Sequence, residues 1–512
     1  QPRVSTDASF LTMALRPAMR CMPRASVTVT TGPGAGAGDI TLSSATIIVQ
    51  PATPVSLTLN AWRNIDIQSS RLTTLDAPLT VRLQAGSGGG FVGIGDSAQA
   101  GSGGAIRIAN SSLVTRGGDI VLGGPAVACG PTLGCVDGHA GAVAGSPSGR
   151  VHGIEISGST LTAGSGGIRL DGHSIVGFGD AAGVAILEKS DLQARLIDIR
   201  GTVDADGDNN RRGVWISGSQ IAATERLAVT GSVAVPSQPT ESLIAGVRVD
   251  SGSSLQVTGA GAVMALDGRS TSPGANGTNG PVLTGLDLSD AGTQLRAADG
   301  AAIDLFGSAS GDGFRLGLTV TGDSRASATP VIDAGAGSRL TLKSDNHLAI
   351  QGHVIAPAGG TLSMVAGDGL YIDGAALSGS PAQAVLGGTW IAIGSGTGAT
   401  VSFSGAADLL LQADQVGLGS DAANQQGSLA ERSDQRALAT AISTPLAVAG
   451  GLLSSGGRVR IETDALVLNP DAVVLASGDG TAIDIRGRQP GTGVGLLSNL
   501  AGAGALQAPA GR

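Results

Sequence analysis

One short motif governs what this chain can fold into. Gly-h-x-h, where h is apolar, recurs as Gly153-Ile154-Glu155-Ile156, Gly183-Val184-Ala185-Ile186, Gly213-Val214-Trp215-Ile216, Gly246-Val247-Arg248-Val249, Gly285-Leu286-Asp287-Leu288 and Gly313-Phe314-Arg315-Leu316. The intervals run from 28 to 39 residues. Each of the first five copies is followed by a small polar pair and another apolar residue: Leu161, Leu192, Ile221, Leu255 and Leu295. A third segment, h-x-h-x-Gly, closes the unit, as in Ile168–Gly172, Ile197–Gly201, Leu227–Gly231, Met264–Gly268 and Ile303–Gly307.

Each unit is thus three short period-2 segments separated by Gly, Ser, Asp or Asn. Period 2 means strand, and those clusters mean turns. Strands this short cannot form a stable sheet alone. Stacked coil on coil, about 4.8 Å apart, they bury one continuous interior. The chain is therefore expected to be all-β, a right-handed parallel β-helix (solenoid). Ile154, Val184, Val214, Val247, Leu286 and Phe314 should form one internal ladder, and Ile156, Ile186, Ile216, Val249, Leu288 and Leu316 the next. The residues between face water, Trp215 among them, and Arg248, Asp287 and Arg315 would alternate in sign across neighbouring coils.

Composition agrees. Of 512 residues 84 are Gly, and aromatics make up 2%, which suits a narrow interior of stacked Ile, Val, Leu and Ala. Charged residues are 14%, too few for a disordered chain. Glycine has no three-residue period, which excludes collagen. The net charge of −9, without a basic stripe, argues against nucleic acid as a partner. No apolar run reaches the length of a transmembrane helix, and one Tyr and three Trp are too few for the girdles of an outer-membrane barrel.

Unit length varies after the h-x-h-x-Gly segment, in the inserts Thr202–Arg212, Ser232–Ala245, Arg269–Thr284 and Ser308–Asp312. In a solenoid such inserts fall along one edge, the first candidate for contacts. The expected organisation is an irregular N-terminal segment at 1–37, a β-helix at 38–413, a loop insertion at 414–444, continuing β-helix at 445–491 and a flexible tail at 492–512. Residues 1–24, with three Met and four Arg, fit nothing downstream, so the chain reads as a fragment or as a reading frame with a misplaced start.

The repeats at 153–316, together with Leu340-Thr-Leu-Lys-Ser-Asp-Asn-His-Leu-Ala-Ile-Gln-Gly352, resemble filamentous haemagglutinin-type exoproteins of bacterial two-partner secretion. The resemblance covers roughly residues 150–480. It implies an adhesin stalk that is secreted or held at the bacterial cell surface, associated with the outer membrane. Its partners would be an outer-membrane two-partner secretion transporter and a host-cell or glycan receptor. The family's secretion domain carries Asn-Pro-Asn-type motifs, and the nearest string here is Asn469-Pro470-Asp471, near the other end. Two alternatives stand beside it: the stem of a contact-dependent growth-inhibition toxin, and a β-helical polysaccharide-degrading enzyme.

An enzyme needs a constellation, and the sequence offers little. Asp204-Ala-Asp206-Gly-Asp208 reads as a solvated turn, a Ca²⁺ site or half of a carboxylate pair. His139, His152, His173, His347 and His353 are scattered without metal-ligand spacing, and His173 reads as a turn residue. Phosphate-loop and nucleophile-elbow motifs are absent. Cys129 and Cys135 close a short loop that is either bridged or holds two free thiols, with Cys21 apart. Asn110 and Asn276 match the glycosylation acceptor string. The expectation is a non-enzyme with no catalytic, cofactor or metal residues and no cofactor.

Overall fold

The structure is a computed structural model. It describes residues 25–32, 38–86, 104–124, 140–142, 151–175, 179–204, 210–235, 243–272, 282–311, 314–321, 331–394, 399–405, 407–418, 451–468, 472–477, 482–488, 495–496 and 505–507. Among them there are strands and turns but no helix, so none long and apolar enough to cross a membrane. The chain is a parallel β-helix, divided into two compact units: Gln1–Gln256 with Ser270–Pro273, and Val257–Arg269 with Gly274–Arg512.

In the first unit each turn of chain lays one strand on each of three parallel sheets, here A, B and C. Register fixes the interior. Sheet A stacks Val27, Leu57, Val81, Ile120, Ile168, Ile197 and Leu227. Sheet B stacks Ile40, Ile65, Ile106, Ile154, Val184, Val214 and Val247. Sheet C stacks Ile47, Leu72, Leu113, Leu161, Leu192 and Ile221. The expected neighbours Ile156, Ile186, Ile216 and Val249 are fully buried. A strand at Val27–Thr30 already belongs to sheet A, inside the segment expected to be irregular, because Val-Thr-Val-Thr alternates like the strands above it.

The second unit repeats the plan. Sheet A stacks Ile303, Leu340, Leu362, Ala384, Leu409, Val459 and Ile483. Sheet B stacks Leu286, Leu318, Leu348, Leu370, Ile391, Val416 and Leu466. One expected rung is wrong. Leu318, not Phe314, stands on Leu286, and Thr319, not Arg315, stands on Asp287. Gly313-Phe-Arg-Leu and Gly317-Leu-Thr-Val both satisfy the motif, and pairing selects the second. Arg315 therefore lies beside Leu283, and the uncharged Thr319 takes the place beside Asp287. The strand Asp408–Leu418 runs into the segment expected to be a loop at 414–444, of which 419–444 lies outside the described residues.

Two glycines per rung do more than turn the chain. A Cβ on Gly172 would lie 2.2 Å from the Gly183 carbonyl oxygen, one on Gly201 2.0 Å from that of Gly213, and one on Gly231 2.0 Å from that of Gly246. In the second unit Gly268 and Gly285, and Gly307 and Gly317, approach in the same way. The backbones leaving sheet A and entering sheet B are thus in contact along a glycine seam, where no other residue fits. Beyond the seam the strands continue into a narrow lobe with its own buried residues: Val203, Val233, Ala181, Ile244 and Ser174. Much of each expected insert is therefore strand. Thr202–Asp204 ends the strand Asp191–Asp204, Ser232–Ala234 ends Gln220–Ala234, and Arg211–Arg212 opens Arg211–Ser217. Main-chain pairing across rungs (Thr202 with Ser232, Val203 with Val233) is what the polar composition concealed.

The corner between sheets B and C is held by buried serines. Ser70, Ser111, Ser159, Ser190, Ser219 and Ser253 each sit just past a left-handed residue; at Gly158 and Gly218 φ is 55° and 57°. Each hydroxyl donates back within its own turn, as Ser159 Oγ does to the Ser157 carbonyl (2.8 Å) and Ser190 Oγ to that of Leu187 (2.6 Å). Most also accept the N–H of the corresponding residue one rung earlier. Ser70 donates to Ser111 Oγ (3.0 Å), Ser111 to Ser159 Oγ (3.0 Å) and Ser159 to Ser190 Oγ (3.3 Å). Ser190→Ala is expected to strip the buried Ser159 amide of its acceptor and lower stability by about 1–3 kcal/mol. Ser112→Ala, on the outer face, should stay within about 0.5 kcal/mol. Urea midpoints of the two variants measure the difference.

Candidate functional site

Pairing brings together residues that the sequence leaves apart. His173 is on a strand, not in a turn, and its Nε2 lies 3.0 Å from Asp204 Oδ2, one rung on. Asp206 and Asp208 lie outside the described residues, as do His139, Asn276, Cys21, Cys129, Cys135 and Asn469-Pro470-Asp471. Asn110 occupies an exposed left-handed corner position, φ 49°. His353 Nε2 is 3.0 Å from Ser378 Oγ. Among the described residues no group of three or more His, Cys, Asp or Glu could hold a metal ion.

The lobe edge is clamped where each rung returns to sheet B. Asn210 Nδ2 donates to Asp180 Oδ1 (3.2 Å), and Asn210 Oδ1 accepts the Leu243 N–H (3.1 Å), so three successive rungs are tied by one side chain. Arg211 is fully buried, with Nη1 donating to the Gly179 carbonyl (2.8 Å) and to that of Asn210 (3.0 Å). Chain length can change in the connections 205–209 and 236–242 because their two ends are held.

Beside the clamp, the outer face of sheet B carries a polar and aromatic cluster. The Arg212 guanidinium lies 4.1 Å from the centroid of the Trp215 ring, with Asp180 3.7 Å away. Trp215 Nε1 donates to Asp250 Oδ2 (3.2 Å), as does Arg248 Nε (2.6 Å). Burial pushes the Asp250 carboxyl up, but hydrogen bonds from Ser217, Arg248 and Trp215 outweigh it and hold it below the usual carboxylate range. Trp215 does face outward as expected, yet it is half-buried between these partners. His152 meets its ring edge-on, with centroids 6.3 Å apart.

In the second unit the outer face of sheet B is buried from Asp287 through Thr319, Ala349 and Tyr371 to Ala392. Tyr371 and Trp390 pack edge to face at 4.0 Å, with His347 5.6 Å from Tyr371 and Ala349, Ala392 and Leu316 around them. Gly369 leaves room for the indole, since a Cβ there would fall 2.6 Å from it, and the Gly369 N–H donates to His347 Nδ1 (3.2 Å). Asp287, which accepts from Thr319 Oγ1 (2.7 Å), and Asp373 are the buried acids of this face. Asp287 aligns with Thr319, Ala349 and Tyr371 in turn, which places Asp373 three rungs on. At about 4.8 Å per rung that is about 14 Å. A glycosidase pair works at about 5–9.5 Å, so these two acids do not form one.

None of these clusters was visible as a motif. His152, Arg212, Trp215 and Asp250 come from three rungs separated by connections of unequal length, and only strand register says which positions are neighbours. The chain matches no protein-family model, no curated protein and no solved structure.

Proposed function

We propose that this chain is the stalk of a secreted, surface-associated bacterial adhesin of the filamentous haemagglutinin type, which attaches to a host-cell or glycan receptor through the edge of its lobe. One observation carries the reading. Within each sheet of the first unit the strands keep their register from rung to rung, with small shifts only between sheets C and A, while the interval from Val203 to Val214 grows by three residues in the next rung, from Val233 to Val247. A rigid ladder with variable connections at one edge is the arrangement in which binding residues concentrate. Export through an outer-membrane partner belongs to the same reading, and it rests on the sequence resemblance.

Shortening the connections 205–209 and 236–242, without touching the strands Asp191–Asp204, Arg211–Ser217 or Gln220–Ala234, should leave the thermal transition within about 2 °C and reduce adherence to cells or immobilised glycans. Undiminished adherence would move the binding surface to the strand faces. Sugar release from pectin or another polysaccharide by the purified chain would replace the adhesin with the enzyme.

A further inference from the structure

The imidazole of His152 is 8% exposed and occupies the start of sheet B, against the clamp of the lobe edge. Its Nδ1 accepts the Ala182 N–H from the next rung at 3.1 Å, so the ring is neutral, with its proton on Nε2. Two rungs on, Arg212 and Trp215 face it. Arg212 opposes a second positive charge, and Asp180, 3.7 Å from Arg212, partly offsets it. On its own strand Glu155 is engaged at 3.2 Å by Arg107, the charged residue that the preceding rung places beside it.

We propose that His152 is an acid-sensitive latch. A proton taken up on Nδ1 expels the Ala182 amide, leaves that buried N–H without its acceptor and sets an imidazolium against the Arg212 guanidinium. The beginning of the strand Ala181–Leu187, with Asp180, then comes away from the rung below. The lobe edge loosens at the point where its connections are anchored. The latch stands whatever the edge binds.

Burial, then Arg212, lower the His152 pKa to about 4, with Asp180 acting in the other direction. The opened state titrates near the ordinary value of about 6.5. The closed form therefore binds fewer protons. Its stability is full above about pH 6.5 and is lost as the pH falls toward 4. These values predict that the opening equilibrium rises on the order of 30-fold between pH 7.5 and pH 5.

Native-state hydrogen exchange on the full chain reads this directly. The protection factor of the Ala182 amide, corrected for the intrinsic rate at each pH, should fall about 30-fold over that interval. In His152→Asn, whose Oδ1 can accept the same N–H without titrating, it should stay flat. A flat profile in the native chain, or an equal fall in His152→Asn, would overturn the latch. Should that variant fail to fold, nitrogen NMR of the native ring decides. A midpoint near 4 supports the latch, whereas one near 6.5 overturns it.

Discussion

A single methyl group at position 201 is expected to lower the unfolding free energy of the first unit by about 3 kcal/mol or more. The Cβ of Gly201→Ala would lie 2.0 Å from the Gly213 carbonyl oxygen and 2.9 Å from Val214 Cγ2. Backbone meets backbone there, so no side chain can rotate away. Relief requires the strands on either side of the seam to separate. That separation would disturb the pairing of Gly201 with Gly172 and Gly231 on the rungs below and above. Gly32→Ala provides the contrast. Nothing lies within 4 Å of its Cβ, and its cost should not exceed about 0.5 kcal/mol. Chemical denaturation of the two variants tests the pair. Equal midpoints would mean that the two backbones are not in contact.

Ile216→Asp is expected to be worse, at about 5 kcal/mol or enough to prevent folding of the unit. Ile216 is fully buried, stacked between Ile186 and Val249. A carboxylate at that position has apolar neighbours on both rungs. Trp215→Ala, one residue away and on the opposite face, should cost about 1–2 kcal/mol, because it forfeits the contact with Arg212 and the bond to Asp250 but leaves the interior intact. Comparable losses in the two variants would show the strand to be inverted.

The inside–outside phase of these strands was legible in the sequence because Gly-h-x-h and h-x-h-x-Gly each carry a period of two. Four of the six residues expected on the first ladder, Ile154, Val184, Val214 and Val247, stand in one register. Phe314 was misplaced for a definite reason. Two adjacent copies of the motif start four residues apart, and only the partner strand distinguishes them. The serine corners were read as polar turns. Composition cannot say that the hydroxyl stays inside and completes the bonding of the rung before it. Polarity also hid the lobe, where Thr202 and Ser232 pair as strand although their side chains resemble loop. The His152 and Tyr371 clusters were illegible altogether. Each depends on which residues three rungs bring side by side, and that follows from connection lengths rather than from any local pattern.

The glycine seam has a consequence for how such a chain can vary. It separates the three-sheet interior from the lobe by a line of touching backbone. The spacing between successive sheet A rungs illustrates this. Ile197 and Leu227 are 30 residues apart with a lobe between them, whereas Leu340 and Leu362, with Ser344 in place of the closing glycine, are 22 apart and go from Leu342 almost directly to Leu348. Both intervals return the chain to sheet A in register. The seam acts as an expansion joint: the chain beyond it can lengthen or shorten while sheet A keeps its register.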